Sequence, residues 1–234
     1  MSVQKMTVNA IDSDGRWLYR VGGISALALG IAYIIIIGLY VPIGAPPSEV
    51  EAKLTYVASN TTAWWAILGL SVLTDFLFVP VGLSLYLALK GISRNVMLVA
   101  TACVGLFIVL DLALTWPPYA ALITLSGNYA ATTNDAYRAV FVTAATYPSV
   151  ALESNLLFVY NTLTLSIGIL LIGLVMLKGI FSKSTAYLGL ITGILGVVAV
   201  AGSFFVNTFV VTILASTLTT VWVLFAGYRL YRLG

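Results

Sequence analysis

Residues 64–90 read WWAILGLSVLTDFLFVPVGLSLYLALK, an apolar run that nevertheless carries Asp75 near its middle. About 20 consecutive apolar residues cross the hydrocarbon core of a bilayer as a helix, so this stretch reads as a transmembrane span. An ionisable group at mid-membrane costs about 2.5–3.5 kcal/mol on insertion scales, which predicts that Asp75 faces other helices or a wet cavity, not acyl chains. Pro80 follows in the same span. It lacks a backbone N–H and frees the carbonyl of Phe76, so a helix kink is predicted beside the buried acid.

The rest of the chain has the same texture. Of its 234 residues, 61% are hydrophobic and 8% are charged, far from the half-apolar, quarter-charged average of soluble domains. The mean hydropathy of +1.06 agrees. Runs such as 34–37 and 195–201 are apolar on every face, whereas a membrane β-barrel requires polar and apolar residues to alternate. The predicted fold is therefore all-α, a polytopic membrane helix bundle forming a single membrane-embedded domain over residues 1–234. Its six transmembrane helices are placed near 17–40, 64–90, 95–116, 150–178, 184–205 and 208–230.

Basic residues orient the bundle. Lys5, Arg16 and Arg20 precede the first span, Lys90 and Arg94 follow the second, Lys178 and Lys183 follow the fourth, and Arg229 and Arg232 close the chain. Of the eleven basic residues only Lys53 and Arg138 lie on the other side, so both termini are predicted to be cytoplasmic in a cell-membrane protein. The net charge of +3 comes from that asymmetry; no basic run suggests nucleic acid.

The connections carry their own signals. Residues 1–15 are polar, with a turn-like cluster of Asp12, Ser13, Asp14 and Gly15. In the first outer connection Ser48 and Glu51 have capping-box spacing, and Val50, Leu54 and Val57 share one side of a short amphipathic helix at the outer surface. Trp64 and Trp65 mark the membrane interface, and Trp116, Pro117 and Pro118 are read as the stop of the third span. The third connection, about 117–149, is predicted to hold one or two helices on the outer face, with Asn134 capping the stretch 135–147. A tight, uncharged turn around 203–207 leads into the last span.

Small residues recur at helix-packing spacing: Gly22, Ala26 and Gly30 in the first span, Gly189 and Gly193 in the fifth. Leu-Lys-Gly-Ile occurs at both 89–92 and 177–180, in hairpins of the same direction, which would be a parallel duplication. Asp75 and Asp111 have no acidic counterpart in the second hairpin, where Leu163 and Ala199 stand.

Several stretches together resemble a family of six-span prokaryotic membrane proteins classified only as a domain of unknown function. They are YVASNTTAWW at 56–65, the aspartate-bearing span ending LSLYLALKGISRN at 83–95, and NLLFVYNTLTLSIGILLIGLVMLKGIFSKSTAYLGLITGILG at 155–196. The chain departs from the family pattern at Lys90 and Gly91, where an arginine-proline pair is common, and at 184–188, which lacks a proline. The resemblance implies a six-span bundle and brings no activity or catalytic residue with it.

With no histidine and one cysteine, haem ligation by His, His-based metal sites and Ser-His or Cys-His nucleophiles are excluded, and no cofactor or metal is expected. Two intramembrane aspartates evoke paired-carboxylate proteolysis, but Asp75 follows Thr74 and Asp111 follows Leu110, not the glycine-aspartate order of such enzymes. Asp75, Asp111, Asn161 and Glu153 form the candidate ligand or proton site, with Asn161 expected at the depth of Asp75 as its partner. Two readings stay open. One is a non-catalytic module that binds a lipid, a lipophilic ligand, or a partner subunit or second copy within the bilayer. The other is a proton-coupled transporter of a small solute, in which Asp75 and Asp111 exchange protons between two sides.

Overall fold

The computed structural model describes residues 15–206 and 208–234; the polar stretch 1–14 and Asn207 of the expected last turn lie outside them. Among the described residues 86% are helical and none is in a strand. The helices are α1 Arg16–Ile43, α2 Val50–Ser59, α3 Thr61–Leu89, α4 Arg94–Leu110, α5 Trp116–Ala131, α6 Asp135–Leu152, α7 Asn155–Met176, α8 Lys183–Gly202 and α9 Phe209–Tyr231. A π-helical turn, Asp111–Thr115, joins α4 to α5. Six helical stretches are long and apolar enough to cross a membrane, and the fold is a multi-pass helical bundle.

The six membrane-length helices pack as a closed ring in which α3, α1, α9, α8, α7 and α4 are successive neighbours and α4 returns to α3. Close approach within the ring depends on missing side chains. A Cβ at Gly23 would lie 2.5 Å from the backbone nitrogen of Tyr231, and one at Gly193 would lie 2.7 Å from that of Leu170. The small stripe of α1 serves two neighbours, since Gly22 abuts Ser84 of α3 while Ala26 and Gly30 abut Gly227 and Leu224 of α9. Gly189 makes room for the indole of Trp222.

Inside the ring, one half is filled. Leu85, Leu89, Met97, Ile172, Met176, Trp222 and Leu230 are fully buried in one continuous core near the 90–93 and 177–182 turns. At the opposite end α2, α5 and α6 pack on one another, and α2 and α5 pack on α3. Their shared core holds Leu54, Val57, Trp64, Ile67, Leu122, Ile123 and Ala145. Tyr129 of α5 donates a hydrogen bond to Glu51 of α2 at 2.6 Å, and Arg138 of α6 lies over the Tyr129 ring at 5.2 Å.

Several expectations are corrected. The third span does not stop at Pro117 and Pro118, because these residues occupy the first positions of α5, where a helix has no use for their missing N–H groups. The π turn absorbs one extra residue just before them, so helix continues to Ala131. The fourth span starts at Asn155, not 150, because the chain breaks at Glu153 and Ser154 and Ser154 caps α7. No Ser48 capping box forms: Glu49 is the N-cap of α2, without a side-chain cap, and Glu51 is engaged by Tyr129. As expected, Pro80 lies inside α3, which runs on to Leu89, and the Ser84 hydroxyl sits between the carbonyls of Pro80 (2.6 Å) and Leu18 (2.7 Å). Asn134 caps α6 by accepting from the amides of Ala136 and Tyr137.

The packing predicts a contrast between two glycines. Gly193→Ala forces α8 away from the backbone of α7 and should destabilise the protein by about 1–3 kcal/mol, seen as a lower thermal midpoint in mild detergent. Gly105 has nothing within 4 Å of the added carbon, so Gly105→Ala should not lower the midpoint.

Candidate functional site

Asp75 is 1% exposed and Asp111 8% exposed, so both carboxylates are enclosed by protein. Burying a carboxylate is tolerable only where hydrogen-bond donors replace water. Each acid has its own. The Trp116 indole N–H donates to Asp75 Oδ2 at 2.5 Å. Asn161 Nδ2 lies 2.7 Å from Asp111 Oδ1 and 2.7 Å from Thr115 Oγ1, and its two hydrogens serve both. Tyr33 of α1 stands beside the two acids.

The π turn makes this arrangement possible. Asp111 opens it, Thr115 closes it and Trp116 follows at once, so three polar groups leave one short stretch toward α7 and α3. The expected pairing of Asn161 with Asp75 is therefore corrected. Helix α7 packs along α4, and α3 lies one place further round the ring, so the amide reaches Asp111 instead.

Two cavities flank this network. The larger, about 660 Å³, lies between α1, α4, α7, α8 and α9. Its wall mixes rings and aliphatic side chains with the hydroxyls of Ser166, Thr192, Thr212, Ser216, Thr219 and Thr220. The hydroxyls of Thr212, Thr219 and Thr220 donate to carbonyls four residues earlier in the chain, leaving their oxygens as acceptors. Asn161 Oδ1 and Thr192 Oγ1, both from this wall, are buried without a hydrogen-bond partner.

The smaller cavity, about 370 Å³, lies at the α2 end and is walled by Tyr40, Trp64, Trp116 and Tyr119 with Lys53, Ser149 and Glu153. The rings fix one another: Tyr40 meets Trp64 at 5.5 Å, Trp64 meets Tyr119 at 5.6 Å, and Trp116 meets Tyr119 at 5.9 Å between centroids. The hydroxyls of Tyr40 and Tyr119 share a hydrogen bond of 2.6 Å. Lys53 forms an ion pair with Glu153, the ammonium side chain being 5% exposed and the carboxylate side chain 58%. Nearby in α2, Tyr56 donates to the carbonyl of Gly44 at 2.6 Å, and burial, with Tyr40 beside it, pushes its phenol above the usual value.

Glu153 thus stands apart from the aspartates, at the rim of the smaller cavity and paired with Lys53. Sequence reading missed Lys53, Trp116, Tyr40 and Tyr119 as site residues. Lys53 did carry a signal, being one of two basic residues on the face that otherwise lacks them. Among the described residues no three Asp, Glu or Cys side chains converge on a point where a metal would sit. Comparisons with protein-family models, with curated proteins and with solved structures found no match.

The two halves of the Lys53 pair are not equivalent. Glu153→Ala leaves an ammonium enclosed without its counter-ion, whereas Lys53→Met removes the charge and keeps the length of the chain. Thermal unfolding in detergent should show Glu153→Ala as the more damaging change, by about 1–2 kcal/mol after allowing for the exposure of Glu153.

Proposed function

We propose that this chain is a non-catalytic multi-pass protein of the cell membrane that holds a lipophilic ligand inside the bundle. The observation that carries the reading is the cavity of about 660 Å³, well within the range of small-molecule sites, with two buried polar atoms on its wall left without partners. Native interiors seldom leave such atoms unpaired, and a ligand bearing a hydroxyl or amine would satisfy them. The aliphatic and aromatic remainder of the wall suits a hydrocarbon body. The filled half of the ring closes the cavity off from the 90–93 and 177–182 turns, as a binding cup requires.

In this reading both termini are cytoplasmic, and α2, α5 and α6 form a layer on the outer face. The support is the distribution of lysine and arginine, because Lys90, Arg94, Lys178, Lys183, Arg229 and Arg232 all fall at the end opposite that layer.

The transporter reading keeps one specific observation in its favour. Asn161 lines the larger cavity and Thr115 the smaller, so the hydrogen-bonded group around Asp111 stands between the two. That reading requires solute flux driven by a pH gradient in liposomes, lost in Asp111→Asn; ligand binding alone requires none.

Native mass spectrometry from mild detergent should show about one lipophile retained per chain. Ala215→Phe, which fills the larger cavity, should reduce the retained fraction at least about fivefold without loss of the folded state. A parent protein that stays empty after incubation with a membrane lipid extract would overturn the proposal. For orientation, a cysteine at Thr132 should react with a membrane-impermeant maleimide on intact cells, and one at Lys90 only after permeabilisation.

A further inference from the structure

The smaller cavity differs in chemistry from the larger one. Its unused polar groups, an indole N–H and a hydroxyl, can both donate, and its lining alone of the two carries charged side chains. Trp64 is 4% exposed and Ser149 3% exposed; both line the cavity, and the indole N–H and the serine hydroxyl have no partner. The Lys53 ammonium, engaged by Glu153, has two further hydrogens. The Tyr40 and Tyr119 hydroxyls bond to each other, which consumes one proton and leaves one. A wall with several unclaimed donors recognises acceptor oxygens.

Charge narrows the class. Because Glu153 already matches Lys53, the wall has no surplus positive charge to hold a phosphate or carboxylate, and burying an uncompensated anion among these rings is unfavourable. A neutral carbonyl needs no such compensation. Shape narrows it further, since four aromatic rings that meet at 58–84° wall the cavity, and aromatic walls favour another ring.

We infer that the smaller cavity is a second site, separate from the lipophile cup, for a neutral planar ring bearing carbonyl oxygens, the chemistry of a quinone head group. Trp64 and Ser149 are its hydrogen-bond donors. The site does not depend on the ligand of the larger cavity, because the two cavities share only Tyr40 among their lining residues.

The probe is duroquinone, whose fully substituted ring leaves no position open to simple addition by the thiol of Cys103. The control is durene, the same methylated ring without oxygens. Equilibrium dialysis of detergent-solubilised protein against matched empty micelles should show saturable binding of about one duroquinone per chain, with durene at least tenfold weaker. Trp64→Phe keeps a ring and removes the N–H; Ser149→Ala removes the hydroxyl. Each should weaken duroquinone binding about two- to tenfold. Ser149→Ala should leave the thermal midpoint unchanged, because it deletes a polar atom that has no partner in the protein, whereas Trp64→Phe also shrinks a buried ring and should lower it.

No saturable binding to the parent, equal binding of durene, or parent-like binding in both variants would each overturn the inference. So would displacement-sensitive binding of a short-chain phosphocholine lipid in the absence of duroquinone binding, which would assign the cavity to a zwitterionic head group. A lipophile retained in the larger cavity without duroquinone binding removes this site and leaves the proposed function intact.

Discussion

A carboxylate enclosed within a bilayer-spanning bundle must be met by donors that are themselves held in place, and this structure meets that requirement twice. Trp116 serves Asp75, and Asn161, whose amide also donates to Thr115, serves Asp111. Both solutions depend on one local device, the π-helical turn Asp111–Thr115, which brings an acid, a hydroxyl and an indole out of a single stretch. An unbroken α-helix through these residues would turn Trp116 away by roughly a quarter of a turn or more, since one residue corresponds to about 100°. The acids therefore fix where α4, α7 and α3 meet, and the cavities lie on either side of that meeting point.

The ring of six helices is built unevenly. Absent or small side chains let helices approach closely along the ring, and near the 90–93 and 177–182 turns large aliphatic residues with Trp222 fill the centre. Toward the α2 end the same helices carry hydroxyls and rings instead, and the centre opens. In lipid there is no hydrophobic drive between helices, so close packing of small residues supplies much of the cohesion.

Much of the architecture was legible in the sequence because long apolar runs have one solution in a membrane. The six spans follow from hydropathy, the helices of the third connection from its length and composition, and Asn134 announced its cap. The ends of elements were less legible. Pro117 and Pro118 read as a stop, yet at the first positions of a helix prolines carry no penalty, and nothing local distinguishes the two cases. Asp75, Asp111 and Asn161 were visible as polar residues in apolar surroundings, but their pairing depended on the order of helices round the ring, which hydropathy does not encode. Lys53 and Glu153 lie far apart in the chain, and the aromatic group of Tyr40, Trp64, Trp116 and Tyr119 assembles from α1, α3 and α5. Interfacial aromatics are common enough that no one of them marks a site.

In the proposed function the larger cavity is occupied by a lipophile in the membrane. The most direct measurement is an electron cryomicroscopy map of the protein in lipid nanodiscs. It should show continuous, elongated density between α1, α7 and α9, with its polar end within hydrogen-bond distance of Asn161 and Thr192. A map in which α1 closes against α9 along its whole length, or in which the cavity holds only discrete water-sized features, would contradict it.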